Sequence, residues 1–180
     1  VGAFYMVAVR YTLAAVVMAF IIIKRWKKLD RRYLRHGILS GCFLAAAYIT
    51  QTVGCKYTTA GKNAFLTTIY VILVPLLAWF LRRKRPNWCV FVAAFMSVSG
   101  IGLLALGTGD TAGLNRGDVF TLVCGLFYAL HILWTESYNV QGDDTLLLTN
   151  LQFLTVAVLA WLLAPCFDAP LDVTHLLDAK

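Results

Sequence analysis

Asn63, Thr67 and Tyr70 recur at i, i+4 and i+7 in the apolar stretch AGKNAFLTTIYVILVPLLAWFL, so on a helix they share one face. A polar stripe on an apolar helix turns away from lipid. Two chemistries suit it: hydrogen bonding to a polar solute in a cavity, or a seam between helices worth about 0.6 kcal/mol per bond. Both readings stand at this level. Lys62, about 3 Å inside the same stretch by helical rise, can snorkel its ammonium to the membrane interface. Pro75 removes a backbone donor and frees a carbonyl near Val71, which makes it a hinge candidate or a static kink.

A second polar face carries Tyr128, His131 and Thr135 at i, i+3 and i+7. The imidazole of His131 titrates near neutral pH and could couple to protons, or it could be a neutral hydrogen-bonded group. Gln152 lies on a third such face with Thr145 and Thr149, and Tyr48 and Gln51 add polar groups to a run of small residues. Arg10 lies about 4.5 Å from the centre of an apolar run, where an arginine costs about 2.5–3.5 kcal/mol on insertion scales. It is therefore expected to face the interior of a bundle or a cavity, either to bind an anionic solute or to pair with carbonyls or Gln51. No Ser-His-Asp order, metal cluster, HExxH or Walker pattern accompanies these residues, so an intramembrane enzyme cannot be assembled from them. No metal or cofactor is implied, and the five cysteines are scattered without CxxC spacing.

The elements that must position these residues are membrane spans. The chain is 60% hydrophobic and 14% charged with mean hydropathy +0.73, outside the range of soluble domains. Six spans of about the needed length are predicted: Ala3–Ile23, Gly37–Val53, Ala60–Leu81, Trp88–Leu106, Asp118–Tyr138 and Leu146–Phe167. The fold class is all-α, a polytopic transmembrane helix bundle. GILSGCFLAAAYI supplies small residues for close helix contact, and Gly100 and Gly102 are read the same way.

The net charge of +7 sits where topology signals belong rather than as a nucleic-acid surface, so no nucleic-acid partner is expected. Lys24, Arg25, Lys27, Lys28, Arg31 and Arg32 follow the first span, and Arg82, Arg83, Lys84 and Arg85 follow the third. Alternate connections share a side, which places 24–36, 82–87 and 139–144 together, and the positive-inside rule makes that side cytoplasmic. The expected location is the plasma membrane. The first span would then run from outside to inside, and the opening without a basic n-region points to a piece of a longer chain.

Read in order, the segments resemble a known family. CKYTTAGKNAFLTTIYVILVPLLAWFLRRKRPNWCVFVAAFMSVSGIGLLAL is similar to the first repeat of the EamA type of the drug/metabolite transporter superfamily. GDVFTLVCGLFYALHILW resembles the start of its second repeat, and VAVRYTLAAVVMAF its second helix. The resemblance implies ten helices in two inverted repeats of five, of which this chain holds helices two to seven. Residues 1–106 would be most of the first repeat, 107–117 an external loop and 118–180 the start of the second. One departure is Arg83-Lys84, where the family often has Gly-Glu. The implied activity is secondary transport of small metabolites or drugs by alternating access. The implied partners are membrane lipid, a small-molecule substrate, the missing helices of the parent chain and, in a homodimer, a second copy. A structural or assembly subunit of a membrane complex is the alternative. The repeat reading also aligns VAVRYTLAAVVMAFI with TNLQFLTVAVLAWLL, matching Arg10 to Gln152 and Tyr11 to Phe153, in opposite orientations. Without its remaining helices such a half-bundle is not expected to transport.

Overall fold

The computed structural model describes residues 2–83, 85–106, 115–142 and 144–168. Lys84, most of the loop 107–117 and the tail beyond 168 lie outside the described residues. Helix α1 is Ala3–Ile21, followed by a short 3-10 helix, η1, over Ile23–Lys28. Then come α2 (Arg31–Tyr57), α3 (Ala60–Thr67), α4 (Tyr70–Arg82), α5 (Trp88–Leu106), α6 (Arg116–Val140) and α7 (Thr145–Phe167). The chain is a polytopic helical membrane protein. Among the described residues, five stretches are long and apolar enough to cross a bilayer: Ala3–Ile21, Arg31–Tyr57, Ala60–Leu81, Arg116–Val140 and Thr145–Phe167. Trp88–Gly100 is apolar but shorter.

Two boundaries differ from the sequence expectation for capping reasons. The segment 31–36 is helical rather than a loop. Asp30 accepts the Arg31 N–H at 2.6 Å with its carboxylate and the Leu34 N–H at 3.1 Å with its carbonyl, which starts α2 six residues early. Helix α6 starts at Arg116 because Asn115 and Asp118 form a capping box: the Asn115 side chain accepts from the Asp118 N–H at 3.0 Å, and the Asp118 carboxylate accepts from the Asn115 N–H at 2.8 Å.

The helices group into two compact units, Val1–Ala45 with Asp144–Lys180, and Ala46–Asp143. In the first, α1 and α7 pack antiparallel along their whole lengths. Phe4 stacks on Phe167 at 5.1 Å, Tyr11 meets Phe153 edge-on at 5.5 Å, and the Asn150 amide donates to the Ala15 carbonyl at 2.8 Å. A carboxylate closes the pair at each end. Asp168 accepts the orphan N–H groups of Phe4 at 2.6 Å and Tyr5 at 3.1 Å, the anionic cap that a helix N-terminus favours. At the other end Asp144 stands at the N-cap position of α7 and receives Arg25 at 2.8 Å and Lys28 at 3.6 Å, while its N–H donates to the Tyr33 hydroxyl at 2.9 Å.

The small residues of α2 act as expected, because added methyl groups at Gly37 and Gly41 would collide with Leu151 and Thr155 of α7. At Gly100 nothing among the described residues lies within 4 Å of where its Cβ would stand, and the surroundings of Gly102 lie outside them.

The Asp144 carboxyl has a pH signature. Burial pushes its pKa up, but the hydrogen bonds and charge of Arg25 and the N–H groups of Leu147 and Leu146 outweigh this and hold it below the usual carboxylate range. A pKa depressed by folding gives stability that is present above the unfolded value, about 3.9, and lost as pH falls through the folded value. With the Arg25 side chain 47% exposed, the discounted contribution is about 0.5 kcal/mol. Asp144→Asn is expected to lower the unfolding free energy in detergent by that amount at neutral pH, and by progressively less as pH falls below about 3.9. Equal losses at neutral and at acid pH would rule out the linkage.

Candidate functional site

The second unit gathers Tyr48, Gln51, Asn63, Thr67, Tyr70, Tyr128 and His131 on α2, α3, α4 and α6. These are seven of the nine residues expected to line a substrate path. The feature that organises them is a break in the third span, expected to be one helix from Ala60 to Leu81. It is two helices instead, α3 and α4, joined by a turn at Thr68 and Ile69. Across the joint the i→i−4 ladder gives way to shorter bonds. Ile69 N–H reaches the Leu66 carbonyl at 3.3 Å, Val71 N–H the Thr68 carbonyl at 2.9 Å and Ile72 N–H the Ile69 carbonyl at 3.0 Å.

Pro75 does not make this joint. It sits buried inside α4, and the carbonyl it frees is that of Val71, past the break. Two threonines compete with the ladder locally: Thr67 Oγ1 donates to the Asn63 carbonyl at 2.8 Å and Thr68 Oγ1 to that of Phe65 at 2.6 Å. Gly125 of α6 lets the joint pack closely. A Cβ there would stand 2.6 Å from Ile69 Cγ2 and 3.3 Å from the Thr67 carbonyl oxygen.

From the joint a continuous polar chain runs through the unit. Asn63, 2% exposed, donates through Nδ2 to Thr121 Oγ1 at 3.1 Å and to the Gln51 carbonyl at 3.3 Å. The Gln51 amide donates to Thr67 Oγ1 at 3.3 Å, and its Oε1 accepts from the Tyr128 hydroxyl at 3.3 Å. The Tyr128 ring lies between those of Tyr48, 5.6 Å away, and Tyr70, 5.8 Å away. One helical turn on, His131 Nε2 and Thr135 Oγ1 stand 3.4 Å apart. This arrangement presents neutral donors, acceptors and aromatic faces around an irregular piece of backbone, the usual make-up of a small-molecule site.

Beyond Asn63 lies a group the sequence reading missed. The Lys62 ammonium, expected to snorkel, instead contacts the Asp118 carboxylate at 2.6 Å. Asp118 is fully buried and also accepts from Thr58 Oγ1 at 2.8 Å. The backbones of α2 and α6 approach at Gly54 and Gly117: a Cβ on Gly117 would lie 2.7 Å from the Gly54 carbonyl oxygen, and one on Gly54 would lie 2.6 Å from Thr121 Oγ1. The Asn115-x-x-Asp118 spacing signals the cap, but nothing local announces a lysine partner.

Two expected residues lie elsewhere. Gln152, 3% exposed, donates to Ser40 Oγ at 2.9 Å in the first unit and so belongs to a packing seam. Arg10 is exposed on α1, its guanidinium 5.9 Å from the Tyr11 ring centre, and does not point into the interior of this chain. Gln51, the partner considered for it, is engaged by Thr67 and Tyr128.

Residues 1–106 match the model of the EamA-like transporter family. An uncharacterized transporter from Archaeoglobus fulgidus is 31% identical over 116 residues, which make up 63% of this chain and 35% of that protein. The chain thus spans about a third of the length of that relative. No solved structure gives a significant match.

Proposed function

Because the chain belongs to the EamA-like transporter family, we propose that it contributes the solute path of a secondary transporter. The solute is a small metabolite or drug, moved by alternating access, with Gln51, Asn63, Thr67, Tyr70, Tyr128 and Tyr48 lining its path. The observation that carries this is the α3–α4 joint. Irregular backbone inside a span is tolerated only where protein buries it or water lines it, and interrupted helices with polar side chains are where transporters hold their cargo. The ion pair beside this cluster formed by Lys62 with Asp118 is neutral as a pair. The side chains of Gln51, Asn63, Thr67, Tyr70, Tyr128 and Tyr48 are amides, a hydroxyl and phenols, which suits a small polar or aromatic solute of little net charge.

Two further features support the reading. The Tyr11–Phe153 contact joins residues that the inverted-repeat alignment makes equivalent, on helices that run in opposite directions. The exposed Arg10, on a face it shares with Leu13 and Val17, is costly against lipid and fits a face covered by a further helix or a second copy. The orientation that follows from charge puts 24–36 and 139–144 in the cytoplasm of a plasma-membrane protein, with Lys62 and Asp118 toward the outside.

Asn63 and Thr67 are themselves nearly buried, which equally suits an assembly subunit whose polar chain is only a packing seam. Reconstitution separates the two. The complete chain carrying these residues, in liposomes, is expected to move neutral or zwitterionic members of a panel of amino acids, nucleobases and organic cations. Flux no greater than that of empty vesicles for every member would sink the transport reading.

A further inference from the structure

The short helix η1 has three faces, and two of them have visible work. In a 3-10 helix residues three apart eclipse one another. Arg25 and Lys28 share one face, and both reach Asp144, at 2.8 and 3.6 Å. Ile23 and Trp26 share the next, and with Val16, Ala19 and Phe20 of α1 they line an apolar groove of about 410 Å³. Lys24 and Lys27 share the third face and are exposed. An apolar groove that ends in an amphipathic tryptophan, bordered by two cations, has the layout of a lipid site: hydrocarbon below, phosphate above.

We propose that this is a binding site for an anionic phospholipid, with an acyl chain along Val16, Phe20, Ile23 and Trp26 and the phosphate held by Lys24 and Lys27. Charge complementarity selects the occupant. Between residues 24 and 36 the chain carries seven Lys/Arg and one Asp, Asp30, so a zwitterionic headgroup gains little there and an anionic one gains from every nearby cation. The groove selects a lipid over a soluble anion, because a free phosphate brings no acyl chain to fill the groove beside Ile23 and Phe20. The site is separate from the polar cluster of the second unit and does not depend on what that cluster carries.

Trp26 reports on the site directly. The complete chain is placed in phosphatidylcholine vesicles in which a fixed minority of lipid has brominated chains, which quench nearby tryptophan. Brominated phosphatidylglycerol is expected to quench more deeply than brominated phosphatidylcholine at the same fraction. Trp26→Phe is expected to reduce that difference to the level that the other four tryptophans report. Lys24→Gln with Lys27→Gln, which leaves Arg25 and Lys28 on Asp144, is expected to reduce the preference about fivefold per lysine. Arg83→Gln with Arg85→Gln, in the other basic connection, is expected to leave it intact.

Equal quenching by the two lipids in the unaltered protein would overturn the proposal. So would a preference that survives loss of both lysines or is unchanged by loss of Trp26, or one that falls equally with Arg83 and Arg85, which would mark general surface charge. Abolition by inorganic phosphate would assign the lysines to a soluble anion instead and overturn the lipid site.

Discussion

Replacing Asp118 with alanine is expected to lower the stability of the bundle by about 3 kcal/mol, the low end of the cost of breaking a buried ion pair. The carboxylate is sealed from solvent by its own partners, but it stands in the first turn of α6, close to the end of the helix, which argues for the low end. Its removal takes a partner from three groups together: the Lys62 ammonium, the Thr58 hydroxyl and the Asn115 N–H. Lys62→Met should cost nearly as much, because it leaves a charge in the same place without its partner. The double substitution Lys62→Met, Asp118→Leu should cost less than the two single losses added, since no charge is then left unpaired. Unfolding in mixed detergent checks this as a double-mutant cycle. Strict additivity would mean that the two side chains act independently and that the ion pair does not hold α3 to α6.

In the complete chain that carries the proposed path, Gln51→Leu is expected to reduce transport about 30-fold while the protein remains folded. Leucine keeps the bulk of the side chain but removes the donor to Thr67 and the acceptor of Tyr128. Two hydrogen bonds at about 1 kcal/mol each account for that factor. Asn63 still reaches the Gln51 carbonyl, because that bond uses the main chain, so the α2–α3 contact persists. Flux of a panel substrate into proteoliposomes, normalised to folded protein, is the measurement. Unaltered flux with normal folding would remove Gln51 from the solute path and favour the packing-seam reading. Tyr128→Phe gives a graded companion: it keeps the rings of Tyr48 and Tyr70 in contact and removes only the hydroxyl, so about a fivefold loss is expected.

The site was legible in part. The i, i+4, i+7 pattern of Asn63, Thr67 and Tyr70 gave a face, and the structure fills that face with Gln51, Thr121 and Tyr128. Thr121 was invisible in the sequence because one threonine in an apolar helix carries no period. The α3–α4 joint was also hidden. Pro75 drew attention to the right helix but the wrong turn, because the break comes from threonine hydroxyls competing for carbonyls and from room left by a glycine on another helix.

What the sequence determined by itself is what depends on near neighbours. Hydropathy sums over about 20 residues, so it located the apolar spans, and the cationic blocks that flank them are readable in the same way. The capping pairs at Asp30 and at Asn115 and Asp118 are likewise written within four residues. The tertiary structure decided what depends on distance in space. Lys62 and Asp118 lie far apart in the chain, and no local rule selects one carboxylate for one ammonium. Arg10 shows the same limit from the other side: the cost of placing it near mid-membrane is readable from sequence, but the direction it faces is not. That direction is fixed by which face of α1 the aromatic contacts with α7 have already taken.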